Sequence, residues 1–514
     1  MYYQDYHTRV IKTEIAGTLF KCLRLLIILL MANISTTFAQ SDNYWSWNFN
    51  TKSALLAGSV VGGGEGPSSV YYNPSLIDHK NLQSLSLSAV IASLQFYNVD
   101  NLAGNGIDAS KVLFKIQPRF LSYALPNKND RIGTELAILS PVSEEVQYTI
   151  QHIDEIDIIN RTQGQETYSG YLKYARKYTD TWVGGGFSYK VSERFYVGGS
   201  AFLSIKLLKY QYQQVTKAYQ EVDSVLIKNE FESSYIAQSG FEEEFKYWYL
   251  SLIFKAGAYY NFPGDQFSIG LNITLPDIPI YGEADIRKSF IRSNIYENDE
   301  SAFVSNENSI GVEESLKGVR VKNPFSIALG AQYSSKNQKN FITITAEYFH
   351  HIDAYPLIKS STQLNWTPYY VSSNISDNDY MSYYFKAKAV TNLALGFKKQ
   401  ISTTLAFMGG FRTDFTASNE DDTRYVNNKL SVIQVHMNKY HITSGVGFKI
   451  KDFTIISGLQ YTFGRNKNME QLISYTEPVE YNPNTQHALE GIRQNNTHAQ
   501  LNEFSLFLGV SVSL

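Results

Sequence analysis

From residue 83 to the C-terminus the chain repeats one theme: ten to twenty residues of alternating apolar and polar positions, then a break. "LSLSAVIASLQFY" and "KVLFKIQPRFLSYAL" open the series, "RIGTELAILSPVSEEVQYTI" follows, and "EFSLFLGVSVSL" closes it. A period of two is the signature of strands with one buried and one differently solvated face. Read this way, the chain predicts fourteen strands.

The breaks between them carry a second pattern. Those near 125–131, 191–194, 262–266, 334–339, 398–402 and 450–452 are short and turn-like, as in "FPGDQ" and "SKNQK". Those near 98–110, 151–178, 214–244, 287–323, 354–385, 417–435 and 466–502 are long and polar. Long and short alternate along the whole chain. A soluble sandwich has no reason to sort its loops by parity, whereas an outer-membrane barrel has short periplasmic turns and long extracellular loops. The expected fold is therefore all-β: a 14-stranded antiparallel transmembrane β-barrel. In the last strand Phe504, Leu506, Leu508, Val510, Val512 and Leu514 share one face, and Ser505, Gly509, Ser511 and Ser513 the other. Such an ending resembles the C-terminal signal of outer-membrane proteins, with Leu514 where Phe is usual. Closure follows because lipid cannot satisfy an open strand edge.

Composition agrees with this pattern. Aromatics reach 14% of the 514 residues, with 38 Tyr and 30 Phe, while charged residues are only 18%. A mean hydropathy of -0.24 excludes a bundle of membrane helices. A net charge of -3 leaves no basic field for nucleic acid. Near the N-terminus Lys21 and Arg24 precede the apolar run Leu25 to Ala32, and small residues follow at Thr37 and Ala39. This predicts a secretory signal, residues 1–39, cleaved after Ala39. The single cysteine, Cys22, lies within it, so the mature chain is expected to have neither disulfides nor thiolate metal ligands.

Between the leader and the first strand, residues 40–82 include "SALLAGSVVGGGEGPSSVYYNPSLI". Ala54 to Val61 suits a short helix, the glycines permit tight turns, and Pro74 stiffens the exit. Fourteen strands enclose a lumen too wide for wall side chains to fill. The segment is expected to be a plug inside the barrel; a tail lying outside would not need Val70, Tyr71, Tyr72 and Leu76. The barrel proper is then 83–514.

Here the chain resembles the FadL family of outer-membrane transporters for hydrophobic compounds. The family's hatch ends in Asn-Pro-Ala; this sequence has "YYNPSLI", with Asn73, Pro74 and Ser75 in that place. "FKIQPRFLSYALPNKNDRIGTELAIL" resembles the family's second and third strands. "GGGFSYKVSERFYVGGSAFLSIKLLKY" resembles its fourth and fifth, and "IGLNITLP" at 269–276 is also similar. The resemblance covers essentially all of the mature chain. It implies passive uptake of hydrophobic molecules, typically long-chain fatty acids, without a cofactor. Ligand is captured at the loops, the hatch shifts, and release is sideways through a gap at a kinked third strand. The implied partners are a hydrophobic small molecule and outer-membrane lipid, around a monomeric barrel.

Several residues could carry such a role. Pro141, in the third strand, cannot donate a ladder hydrogen bond, and a closed barrel has no edge to hide it. It marks either a wall defect, at the family's lateral opening, or the end of the strand at Ser140 with Glu144 and Glu145 starting a loop. Pro118 on the second strand could face the same defect. Alternation turns Lys115, Arg119, Lys206, Lys255 and Arg412 inward, the last beside Asp414. Any of them could hold a ligand carboxylate, or simply line a polar lumen. His350 and His351 are expected on opposite faces of a strand, unable to chelate one ion together. "HIDEID" at 152–157 reads as a solvated acidic loop, and Tyr247, Trp248 and Tyr249 as interfacial girdle. No nucleophile elbow, phosphate loop or metalloprotease helix is present, so an enzyme is not expected. The rival to transport is a docking barrel like the PorV-like components of type IX secretion.

Overall fold

The computed structural model describes residues 43–513 except 47, 65, 80–83, 160–163, 221–234, 297–302, 306–307, 362–378, 419–424, 427–428, 434 and 486. The leader, Ala39, Cys22 and Leu514 lie outside the described residues. So do both ends of the expected plug, 40–42 and 80–82.

Fourteen antiparallel strands close into one ring. They are β1 (Ser84–Asp100), β2 (Ala109–Leu125), β3 (Ile132–Ile156), β4 (Glu166–Lys190), β5 (Phe195–Gln220) and β6 (Tyr235–Asn261). Then come β7, in two parts (Phe267–Thr274 and Ile278–Ser293), and β8, also in two (Asn308–Lys317 and Ser326–Ser334). The ring continues with β9 (Phe341–Phe349), β10 (Val390–Gln400), β11 (Leu405–Asp414), β12 (Asn438–Ile450), β13 (Phe453–Met469) and β14 (Thr497–Ser513). It closes where β14 pairs with β1 over nearly the full length of both. The strand count and the antiparallel closure expected from the alternation are both present.

The outward faces delimit the membrane zone. On β5 the outward positions run Phe195, Val197, Ala201, Leu203, Ile205 and Leu207, and then turn polar at Lys209, Gln211 and Gln213. Twelve steps at about 3.3 Å along a strand tilted by about 40° span roughly 30 Å, close to a bilayer's apolar thickness. Trp248, packed at a tilt against Tyr281 at 4.9 Å and donating to Glu283, marks the outer boundary.

Beyond that boundary the structure departs from the loops expected at 151–178 and 214–244. There β3 to β6 continue as strands of 25 to 27 residues, with polar outer faces, roughly 30 Å into the aqueous side. Within 152–157, His152 to Ile156 form the end of β3, not a loop. Their inner faces, with the outer hairpin Ile352–Ile358/Tyr383–Ala387 and residues such as Leu430, Ile433, Ile473 and Leu489, bury a tyrosine-rich core over the barrel mouth. Tyr168, Tyr174 and Tyr212 donate from the wall to carbonyls of Leu489, Ile433 and Leu472 in the covering loops. Tyr247 and Tyr249 belong to this buried core; only Trp248 of that trio is girdle. His350 and His351 sit where β9 breaks before the outer hairpin, and their rings lie 4.1 Å apart, tilted by 50°, and do not diverge.

Candidate functional site

Residues 43–79 lie against the inward faces of the barrel wall. The segment holds two short helices, α1 (Thr51–Leu55) and α2 (Ser69–Tyr72), and a 3-10 turn over Pro74–Leu76. The Asn73-Pro74-Ser75 motif is a buckle. Asn73 is buried, and its amide donates to Val61 O at 2.8 Å within the segment and to Ala258 O on β6 at 3.2 Å. Its side-chain oxygen accepts from Ser75 N and, at 2.6 Å, from Ser75 Oγ. Pro74 starts the turn, where its fixed φ and missing N–H cost nothing. Ser75, where the family has Ala, thus adds a bond to the same Asn.

Glycines inside the strands explain how the segment fits. On eleven strands of the wall, β3 to β8 and β10 to β14, an inward glycine meets it directly. A Cβ on Gly270 would stand 1.9 Å from Val61 O, one on Gly330 2.3 Å from Gly62 N, and one on Gly198 2.5 Å from Pro74 O. A glycine within a strand often marks a site where another backbone comes close, and here it does. We expect Gly270→Ala to lower stability by about 1–3 kcal/mol, the usual cost of overpacking. Gly199→Ala, whose nearest atom is at 3.5 Å, should be neutral. Thermal melting of the detergent-solubilised barrel compares the two; equal melting would show that the close contact is not rigid.

The first residues of the segment are held by charge. Trp45 N and Ser46 Oγ donate to the two oxygens of Asp414 at 2.9 and 3.0 Å, and Arg412 Nη2 donates to Ser46 O at 3.1 Å. Trp45 Nε1 donates to Glu347 at 2.7 Å. Arg412 and Asp414 are both inward, as expected, and both are engaged by the chain's own N-terminal segment. Lys255 is buried, donates to Thr274 Oγ1 at 2.8 Å, and lies 4.3 Å over the ring of Tyr71. Burial raises the hydroxyl pKa of Tyr71 and Tyr72, which therefore stay protonated. Lys206 is 3.6 Å from Asp277 and bonded to Ser204 and Ser251. The cations are thus dispersed around the lumen, not gathered in one anion site.

Lys115 and Arg119 belong to a different feature. The ladder between β2 and β3 consists of six pairs, from Leu125–Thr134 to Phe120–Leu139, and stops there. Above it β2 stays paired to β1, and β3 to β4, so the wall splits along its outer half. Pro118 and Pro141 flank the start of the split, where neither can donate. Pro141 does not end its strand: β3 runs on to Ile156, with one extra residue between Leu139 and Val142 against two steps on β4. Val112, Phe114 and Ile116 of the unpaired β2 edge are 57%, 64% and 65% exposed on the lipid side. Gln117 Nε2 reaches Ser143 Oγ across the split at 2.9 Å. Behind it Lys115, Glu144, Lys439, His441 and Glu503 surround a small cavity of about 20 Å³. A second, similar in size, lies between Trp45, Tyr71, Lys255 and Glu347. Each has room for a water or two, not for a ligand chain.

No protein-family model matches this chain, and no curated protein does. Solved structures match over almost the whole chain. The toluene transporter TodX of P. putida aligns with a TM-score of 0.53 at 12% identity, covering 90% of this chain and 98% of its own. A FadL homologue of Pseudomonas aeruginosa aligns at 0.50 and 12% identity, covering 93% and 99%. The architecture is that of the fourteen-stranded outer-membrane barrels. Within that class the chain has the FadL-type fold.

Proposed function

We propose that this barrel sits in an outer membrane and passes hydrophobic small molecules passively from the outside into the membrane or periplasm. The N-terminal segment is its hatch, and the opening between β2 and β3 its lateral exit. That opening is the observation that carries the reading: a wall in lipid should be fully paired, and this one is unpaired beside two prolines, with apolar side chains outside. The covering loops, with their buried tyrosines, suit capture of an aromatic or aliphatic solute by apolar contact. Long-chain fatty acids are the ligands we infer first. Lys115, half-buried behind the split, and the buried Arg119 beside it are the cations for a carboxylate. The chain is read as reaching the outer membrane as a monomer after cleavage near Ala39.

The test is uptake of radiolabelled palmitate and toluene by cells lacking their own transporters, with and without this protein. Expression should raise the initial rate of at least one of them several-fold. No gain for either would sink transport and favour the docking alternative, for which the extended polar faces of β4 to β6 offer a platform.

A further inference from the structure

The ring has a second interruption, away from β2 and β3. The outer parts of β7 and β8 pair down to Glu283–Lys317, and the inner parts pair up to Thr274–Ser326. Between them 275–282 and 318–325 form no ladder with each other beyond one bond, Gly318 N to Gly282 O at 2.9 Å, although 278–282 stay paired to β6. Three of the chain's 13 prolines, Pro276, Pro279 and Pro324, lie in these two short stretches. Each removes a backbone donor that would otherwise face lipid unpaired. The remaining donors find irregular partners. Arg320 N bonds Leu357 O at 2.9 Å and Lys322 N bonds Tyr355 Oη at 3.0 Å, both on the outer hairpin. Segment 318–325 thereby leaves the ladder and folds inward, with Val319 against Gly282 of β7 and Val319 and Val321 buried in the loop core.

The interruption lies just below the Trp248–Tyr281 girdle, at the level of the outer leaflet. Its lipid side is apolar: Leu275, Ile278 and Ile280 are about half exposed. Its lumen side is covered by Val319, packed on Gly282, and tied by one carboxylate. Asp277 turns inward, its side chain only 2% exposed. One oxygen accepts from Asn323 N at 2.6 Å, bridging the break from β7 to β8. The other accepts from Tyr249 Oη at 3.1 Å and faces Lys206 Nζ at 3.6 Å. Asp277 therefore ties the two broken strands to each other and to a buried cation on β5.

We propose that this interruption is a second lateral port, exchanging hydrophobic small molecules between the lumen and the outer leaflet, with Asp277 as its latch. The inference rests on the transport reading above. A structural kink alone would not require prolines on both strands, an apolar outer lining, and a buried carboxylate bonded across the break and paired with a cation behind it. The port would let solutes already dissolved in the outer leaflet bypass the covered mouth.

The test is the pair Asp277→Cys with Asn323→Cys in a Cys22→Ser background, purified and reconstituted in liposomes. Reduced, the variant lacks the latch; oxidised, it holds the strands together covalently. Uptake of labelled toluene should be at least twofold faster in the reduced state than in the oxidised one, with the parent between. In parallel, a diazirine analogue of toluene photolabels the detergent-solubilised protein. Adducts on 275–282 or 318–325 that vanish on oxidation support the port. Equal uptake in both states, with a parent that transports, overturns it. A parent that transports nothing fails the transport reading, and the photolabelling then decides the port: absence of adducts overturns it too.

Discussion

Removing residues 43–79 should convert a sealed barrel into an ion-conducting one. The segment fills the lumen with Leu55, Leu56, Val60, Val61, Val70 and Ile77, and its backbone comes within contact of inward glycines on eleven strands. Without it, that zone of the lumen keeps only small side chains, because the wall where the segment sits is largely glycine with short Ser and Thr residues such as Ser88, Ser188, Ser268 and Thr443. The wall itself should survive, since its hydrogen bonds run strand to strand and not through the segment. Two seals are in series, however, because Leu472, Ile473, Tyr475, Leu489 and their neighbours cover the mouth. We therefore expect wild type to give no resolvable steps in planar bilayers. Deletion of 43–79 should give small, flickering steps, and additional trimming of 471–495 large and steady ones. If trimming alone conducts as well as both deletions together, the N-terminal segment is not a seal.

How much of this was legible in the sequence depends on which neighbour determined each feature. Strand number, inward orientation of Lys206, Lys255 and Arg412, and the break near Pro141 follow from alternation and from proline's missing donor, both local. The membrane-distal strands were misread as loops because their outer faces carry Lys209, Gln211 and Gln213. Polarity there reflects height above the membrane, not irregular backbone. The partners of Arg412 and Asp414 were not legible, because they meet Trp45 and Ser46 across hundreds of residues. The glycine belt did leave a signal: Gly198, Gly257, Gly270, Gly330, Gly410 and Gly458 all fall on inward positions of strands. Each alone looks like a weak strand residue; together they report a second backbone inside the wall. The paired breaks of β7 and β8 also left one, in Pro276, Pro279 and Pro324, and only the ladder shows that they lie side by side.

Closing the split between β2 and β3 should stop uptake while leaving the fold intact. Pro141→Ala restores one backbone donor, worth about 0.5–1.5 kcal/mol if it finds an acceptor, so stability should hold or rise slightly. Uptake should fall only partly, because the extra residue between Leu139 and Val142 remains and still bends the strand. Deleting Pro141 outright removes that residue. Leu139 then stays opposite Trp182 and Val142 opposite Asp180, with Ser140 free to meet Thr181, so no later side chain changes face. This variant should lose more uptake than the Ala variant. A covalent bridge should be the most severe: Gln117→Cys with Ser143→Cys, joined by a short bifunctional thiol reagent, ties the two edges where they already touch. We expect at least a tenfold loss of palmitate uptake on crosslinking, reversed when a cleavable reagent is cut. Surface expression and binding of labelled palmitate should be unchanged, which separates a blocked exit from a damaged receptor. Uptake that persists through the crosslink would move the route elsewhere. The break at β7 and β8 would then be the first place to look, and its redox-controlled variant would report whether toluene and palmitate share it.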